Sequence, residues 1–345
     1  MRYLPIDQLE VGMSLGRNIY NDAGQLILSK DKIFTEIIIA LFKRQGYQGV
    51  YIEDKISEDI VIEEIVSIEI RNKAKQSIKR LFLSDDVDSS NIQNEINLSI
   101  SEIMQSILEN KEVLVNMVDL KTYDDYTYSH SVNVGILSGV IGVALSFKDD
   151  QLKHLITAAM LHDIGKKFLD KELLNKTEKI SENEYSILKT HSELGYNFFK
   201  DTLSFSAHVK TGILQHHERF DGSGYPLGKK GDEIPLISRI IGVADSYDAI
   251  TSTRPYHKAY PPGEGMEYIM GNSGIGFDPK VVKIFAQKVA IYPAGTQVLL
   301  SNGEKALVMK NFECFSSRPW VKLLSTGEVL DLKDDMNTMN ITIIK

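Results

Sequence analysis

Cysteine is almost absent from this 345-residue sequence: Cys314 stands alone. A single thiol excludes an intramolecular disulfide and a thiolate zinc finger, fits a reducing compartment, and is expected to act as a small buried hydrophobe. Positive charge is also in short supply, with 39 Lys and Arg against 47 Asp and Glu and a net charge of −8. That balance argues against a polyanion-binding surface, so no nucleic acid polymer is expected as a partner, and any site for a phosphate compound must supply its own positive charge. Long apolar runs are missing too. The opening Met1-Arg2-Tyr3-Leu4-Pro5-Ile6-Asp7 lacks the apolar stretch of a signal peptide. The most apolar segment, Val132 to Phe147, is too short for a bilayer and carries Asn133, Ser138 and Ser146. It reads as a buried core helix, and the chain as cytoplasmic without a membrane span. No internal repeat or low-complexity tract is present.

What remains is ordinary for a globular chain, 43% hydrophobic and 25% charged, and long enough for two or three domains. Residues 1–55 read as a small α+β regulatory module: Asn21-Asp22-Ala23-Gly24 turns between two strand-like runs, Ile33 to Gln45 is helical, and Val50 to Glu53 is a short strand. Residues 56–117 read as a helical connector. There a first helix covers roughly Ile62 to Phe82, and Ser84 to Asn91 separates it from a second whose Ile92, Ile96, Ile100, Ile103 and Ile107 share one face. That stripe favours internal packing, with a homodimer contact as its other use. In residues 118–290 nearly every strong pattern is helical, and this is the chemical domain. From 291 to 345 the period changes, and Thr296 to Leu300, Ala306 to Met309, Trp320 to Leu324 and Ile341 to Ile344 read as strands of a β subdomain. Asn302-Gly303 and Thr326-Gly327 supply its hairpin turns.

Five of the eight histidines fall at the ends or inward positions of apolar helices in the chemical domain. His162-Asp163 ends the helical run Leu152 to Met160, and alone would be a weak signal. His130 heads the apolar helix, His191 lies in Thr190-His191-Ser192-Glu193-Leu194-Gly195, His216-His217-Glu218 follows Val209 to Leu214, and Asp245 lies in Gly242-Val243-Ala244-Asp245-Ser246. Buried imidazoles and carboxylates need partners, and metal ions are a common one. Seven N/O donors exceed what one zinc uses, whereas two ions sharing a carboxylate accommodate them and suit iron or manganese as well as zinc. Two such ions about 3.5–4 Å apart are the apparatus of phosphoester hydrolysis. The loop Asp221-Gly222-Ser223-Gly224-Tyr225-Pro226-Leu227-Gly228 adds a tight turn that can press Tyr225 towards a bound ligand.

In order and spacing, His130, His162-Asp163, His191, His216-His217, Gly224-Tyr225-Pro226 and Asp245 resemble the HD-GYP phosphodiesterases of the HD hydrolase superfamily, over about Val118 to Ala259. The resemblance implies a mainly α fold. It implies that His130, His162, Asp163 and Asp245 form the basic metal site, and that His191, His216 and His217 complete a second, with Asp163 bridging. It implies that Asp163 and Lys166 are catalytic, that Lys166 contacts a phosphate oxygen, and that Tyr225, Asp248 and Arg254 orient the substrate, a cyclic dinucleotide. Cyclic di-GMP comes first and 3′3′ cyclic GMP-AMP second, opened to the linear 5′-phosphorylated dinucleotide and on to GMP. Two departures stand out. Tyr126 occupies the place of a glutamate that recruits a third metal in some relatives, so two divalent ions are expected, iron or manganese. His257 follows Arg254-Pro255-Tyr256 where the family has lysine. That departure bears on substrate preference. A sensor that binds a cyclic dinucleotide without hydrolysing it is the competing reading, and an HD nucleotidase acting on mononucleotides a third. His154 and His208 carry no motif and are expected to be structural or on the surface.

Overall fold

Hydrophobic residues recur at helical spacing through the middle of the chain and at strand spacing at both ends, and the three-dimensional structure keeps the two apart. A computed structural model describes residues 1–21, 24–84, 90–116, 126–202, 205–252 and 259–344. The chain divides into two compact units. One comprises Met1–Glu64, Glu112–Asp125 and Ala286–Lys345; the other comprises Ile65–Lys111 and Tyr126–Phe285. The fold is mainly α, with small sheets near the two ends of the chain.

The unit built from both chain ends begins with β1 (Arg2–Pro5), β2 (Ser14–Leu15), β3 (Ile19–Tyr20), β4 (Leu26–Leu28), α1 (Glu36–Arg44) and β5 (Gly49–Glu53). Strand β5 is central, antiparallel to β1 and β2, and β3 pairs with β4. Thr35 caps α1 by accepting from the Ile38 N–H. Leu4, Leu15, Phe34, Phe42, Val50 and Ile52 form the core here. Further along the chain β6 (Gln297–Leu299), β7 (Lys305–Lys310), β8 (Trp320–Leu323) and β9 (Val329–Asp331) make an antiparallel meander. The two expected Gly turns are present, with Gly303 at φ +88° and Gly327 at +76°. A third cluster joins the two stretches: Tyr51, Ile60 and Ile62 bury together with Ala294 and Leu307.

Three readings are corrected in this unit. Ile341 to Ile344 contributes only an isolated bridge between Ile343 and Leu300, while β9, short and flanked by charge, was not anticipated. Cys314 is exposed, in a turn between β7 and β8 at φ +64°, so it is not a core residue.

The helical unit contains α2 (Ile68–Leu83), α3 (Ser90–Glu109), α4 (Tyr126–Ala144), α5 (Asp149–Leu161), a 3-10 turn (Ile164–Phe168), α6 (Lys171–Leu174), α7 (Glu182–Lys189), α8 (His191–Phe199), α9 (Ala207–Gln215), α10 (Leu236–Thr251), α11 (Pro262–Gly271) and α12 (Pro279–Lys288), the last belonging to it through Phe285. Helix α2 starts six residues later than Ile62, because Ile60 and Ile62 are claimed by the other unit's core and Ser67 caps the helix by accepting from the Ile70 N–H. The stripe Ile96, Ile100, Ile103 and Ile107 is buried. Helix α4 packs on α2, α3, α5 and α10, which is why its residues from Val132 to Ile141 are buried on every side. No helix among the described residues is long and apolar enough to cross a membrane.

Candidate metal centre

Four helix ends and two helix interiors bring the seven expected donors together. His162 caps the C-terminus of α5 and Asp163 opens the 3-10 turn that follows. Their placement depends on Gly165: a Cβ there would lie 1.8 Å from the His191 carbonyl oxygen, so only glycine lets the turn press against the start of α8. His191 is the first residue of α8, and His216 caps α9 with His217 next. His130 and Asp245 project from within α4 and α10.

The donors form two groups. Asp163, His191, His216 and His217 offer ligand atoms that all lie within 4.8 Å of one another, and so do His130, His162 and Asp245. Both carboxylates face both groups. Asp163 Oδ1 lies 3.5 Å from His191 Nε2, while its Oδ2 is 3.3 Å from His162 Nε2 and 3.7 Å from His130 Nε2. Asp245 Oδ1 lies 3.1 Å from His130 Nε2, and its Oδ2 is 3.9 Å from His217 Nδ1.

The ring tautomers show what this arrangement is fitted for. His162, His191 and His216 each place Nδ1 2.7 Å from the backbone carbonyl three residues earlier, Ala159, Leu188 and Ile213. A carbonyl only accepts, so each Nδ1 carries the proton and each Nε2 presents a lone pair. His191 Nε2 and His216 Nε2 then confront each other at 3.3 Å, two lone pairs with nothing to share. His162 Nε2 and Asp163 Oδ1, both buried, have no hydrogen-bond partner among the described residues. Buried acceptors facing one another are stable only around a cation. Between His191 and His216 a proton is a poor candidate: burial, reinforced by His217, His162 and His191, holds His216 well below the usual histidine range, and burial, opposed by Asp163 and aided by Lys166, holds His191 below it. Burial lowers His217 strongly as well. The donor set therefore fits divalent metal ions.

The carboxylates are ionised. Burial opposes the charge on Asp163, but His162 and Lys166 outweigh it and hold the group well below the ordinary range. Burial likewise opposes Asp245, and His130 and His162 overcome it. His162 is raised, because the adjacent Asp163 more than offsets desolvation.

The other expected residues are placed as follows. Lys166 Nζ, with its side chain about a third exposed, donates to Asp163 Oδ2 at 2.5 Å. Tyr225 stacks on His217, ring centroids 4.7 Å apart and planes 27° apart, and burial raises its phenol. Asp248 is only 3% exposed and turns inward: its Oδ2 lies 2.7 Å from His130 Nδ1 and its Oδ1 accepts from Asn133 Nδ2 at 2.9 Å. That placement sets Asp248 against His130, a member of the second donor group. Arg254 and His257 lie outside the described residues, and of Tyr126 only the backbone is described. His154 and His208 face each other across α5 and α9 at 5.8 Å between ring centroids, apart from the two groups.

One residue of the His216-His217-Glu218 run has a structural task that the sequence did not assign. Glu218 is buried and clamps the loop, its Oε1 accepting from the Leu227 N–H at 2.7 Å and its Oε2 from the Lys229 N–H at 2.9 Å. The tyrosine loop folds back so closely that a Cβ on Gly224 would sit 2.2 Å from the Arg219 nitrogen. Its position next to His216-His217 was the available signal.

Comparison with known proteins agrees with this construction. Curated relatives include the cyclic di-GMP phosphodiesterase PA4108 of Pseudomonas aeruginosa, 37% identical over 224 residues, which are 65% of this chain and 54% of that protein. Another is the 3′3′-cGAMP-specific phosphodiesterase 3 of Vibrio cholerae, 32% identical over 177 residues, 51% of this chain and 38% of that protein. The matches thus span about half or less of these relatives' length. Among solved structures, Bd1817, a HDG"Y"P protein from Bdellovibrio bacteriovorus, shares the fold, with a TM-score of 0.55 and 18% identity over 82% of this chain and 97% of that one. The family model described as HD domain matches residues 102–281, more than half of the sequence and all seven donors, and the chain belongs to the HD domain family.

Proposed function

We propose that this chain is a metal-dependent phosphodiesterase that opens a cyclic dinucleotide to the linear 5′-phosphorylated form and on to the mononucleotide, with cyclic di-GMP the preferred substrate and 3′3′ cyclic GMP-AMP the alternative. The observation that carries the reading is the convergence of seven donors into two groups, with Asp163 and Asp245 each facing both. The relatives' names support the substrate class. His130, His162 and Asp245 would hold one divalent ion, and His191, His216 and His217 the other, with Asp163 between them; iron or manganese suits this donor set. Divalent ions there supply Lewis acidity for phosphoryl oxygens and acidify water near neutral pH.

The chain's own residues do the rest. Four Nδ1 protons held on fixed acceptors keep the imidazoles in the donor tautomer without a change of shape when ligand arrives. Lys166, which donates to Asp163, would transfer its hydrogen bond to a phosphate oxygen and offset negative charge that the acidic surface cannot. Tyr225 offers an aromatic face beside His217 for a base or ribose, backed by the Glu218 clamp. Residues 1–55 are read as a regulatory module. A homodimer would use the outer face of α3, where Leu98 and Leu108 are exposed, since the inner face is buried.

Metal-loaded wild type and Asp163→Ala, assayed by product analysis on a panel of cyclic and mononucleotides, test this reading. The expected result is a linear dinucleotide from wild type and no turnover in the variant. Wild-type rates in Asp163→Ala, or recovery of only intact bound ligand from wild type, would overturn it.

A further inference from the structure

Three of the five imidazoles orient themselves on backbone carbonyls, and His130 cannot. His162 and His216 cap helix C-termini and His191 immediately follows one, so the carbonyls of Ala159, Ile213 and Leu188 come from last turns where carbonyls lack helical partners. His130 lies inside α4, where the carbonyls behind it serve the helix itself. Its Nδ1 has to find an acceptor on another helix. The acceptor is Asp248 of α10, at 2.7 Å.

The arrangement is built rather than incidental. Asp245 and Asp248 stand one turn apart on α10 and bracket the His130 ring, Asp245 Oδ1 3.1 Å from Nε2 and Asp248 Oδ2 2.7 Å from Nδ1. Asp248 is itself braced, Oδ1 by Asn133 Nδ2 at 2.9 Å and Oδ2 by the Ser252 hydroxyl at 3.3 Å. Asn133 lies one turn beyond His130 on α4, so two pairs spaced by three residues interlock across the helix interface. A carboxylate accepts more strongly than a carbonyl and makes the opposite ring nitrogen a better donor.

We infer that Asp248 is a positioning residue for the metal centre: it fixes the Nδ1–H tautomer of His130, aims Nε2 at the site and strengthens it as a ligand. This rests on the metal reading above, and its failure is distinguishable from the failure of that reading.

Mn(II) affinity, measured on metal-stripped protein by electron paramagnetic resonance of the free ion, reads the link without any assay of turnover. Asp248→Asn keeps the shape and removes the charge, and it is expected to bind Mn(II) about 10- to 100-fold more weakly. Asn133→Ala removes only the brace and is expected to weaken binding less. In nitrogen-15 spectra of histidine-labelled apo protein, His130 should show the Nδ1–H form in wild type and a tautomer mixture in Asp248→Ala. Unchanged Mn(II) affinity in Asp248→Asn overturns the inference; should that variant not fold, unchanged affinity in Asn133→Ala does so. A wild-type protein that binds no Mn(II) overturns the metal reading itself.

Discussion

At the scale of single residues, all seven donors were legible because each sits at a motif where a helix ends or an apolar run carries one polar residue. The role of Asp248 was not. A carboxylate one helical turn after a ligand can face substrate or face another ligand's ring, and the spacing is the same in both cases; only the packing of α10 on α4 decides. Gly224 offers a sharp test of the loop. A methyl group there meets the Arg219 nitrogen, the Glu218 Cα and the His217 carbonyl, all backbone and unable to move aside. Gly224→Ala is expected to cost about 1–3 kcal/mol of stability and to displace Tyr225 from His217. Chemical denaturation and the Michaelis constant for the cyclic dinucleotide would register the two effects separately, the latter rising.

Elements were read well where periodicity was long and poorly where it was short. Helices α3 and α4 follow their apolar patterns, whereas β9, three residues long, has no pattern to read. The tyrosine loop is the element whose order matters most for substrate. Replacing Glu218 by Gln removes one of its two acceptors and leaves the Leu227 or Lys229 N–H without its charged partner. A loss of about 1–3 kcal/mol is expected, with faster amide exchange confined to residues near the loop, observable by mass spectrometry. Helix α7 makes a separate prediction in acid. The Lys176 ammonium, with the Ser181 amide and hydroxyl, holds half-buried Glu184 from its usual 4.5 down to about 2. Because the folded group is the more acidic, its stabilisation of the first turn of α7 is complete above pH 4.5 and disappears as pH falls towards about 2. A carboxyl titration of Glu184 by nuclear magnetic resonance should find that low midpoint in wild type and a higher one in Ser181→Ala.

At the scale of the whole molecule, the seven donors all belong to the helical unit. Metal ions are expected to stabilise that unit by about 2.7 kcal/mol at a hundredfold excess over the dissociation constant, raising its unfolding midpoint by roughly 5–10 °C. Far-ultraviolet circular dichroism with Mn(II) and after chelation would show the shift, and coincident curves would count against a metal centre. The sequence did not disclose that the two ends of the chain share a core. Strand patterns show which face is buried but not what buries it, so Ile60 and Ile62 read as the start of a helix when they pack with Ala294 and Leu307.

That shared core has a consequence for biosynthesis. As the ribosome delivers the polypeptide from its amino end, Tyr51, Ile60 and Ile62 emerge more than two hundred residues before Ala294 and Leu307 can cover them. The helical unit, whose segments are all translated by Phe285, can close around its histidines while the first-made strands still wait for the last-made ones, so the nascent protein gathers its seven donors before the unit built from its two ends is complete.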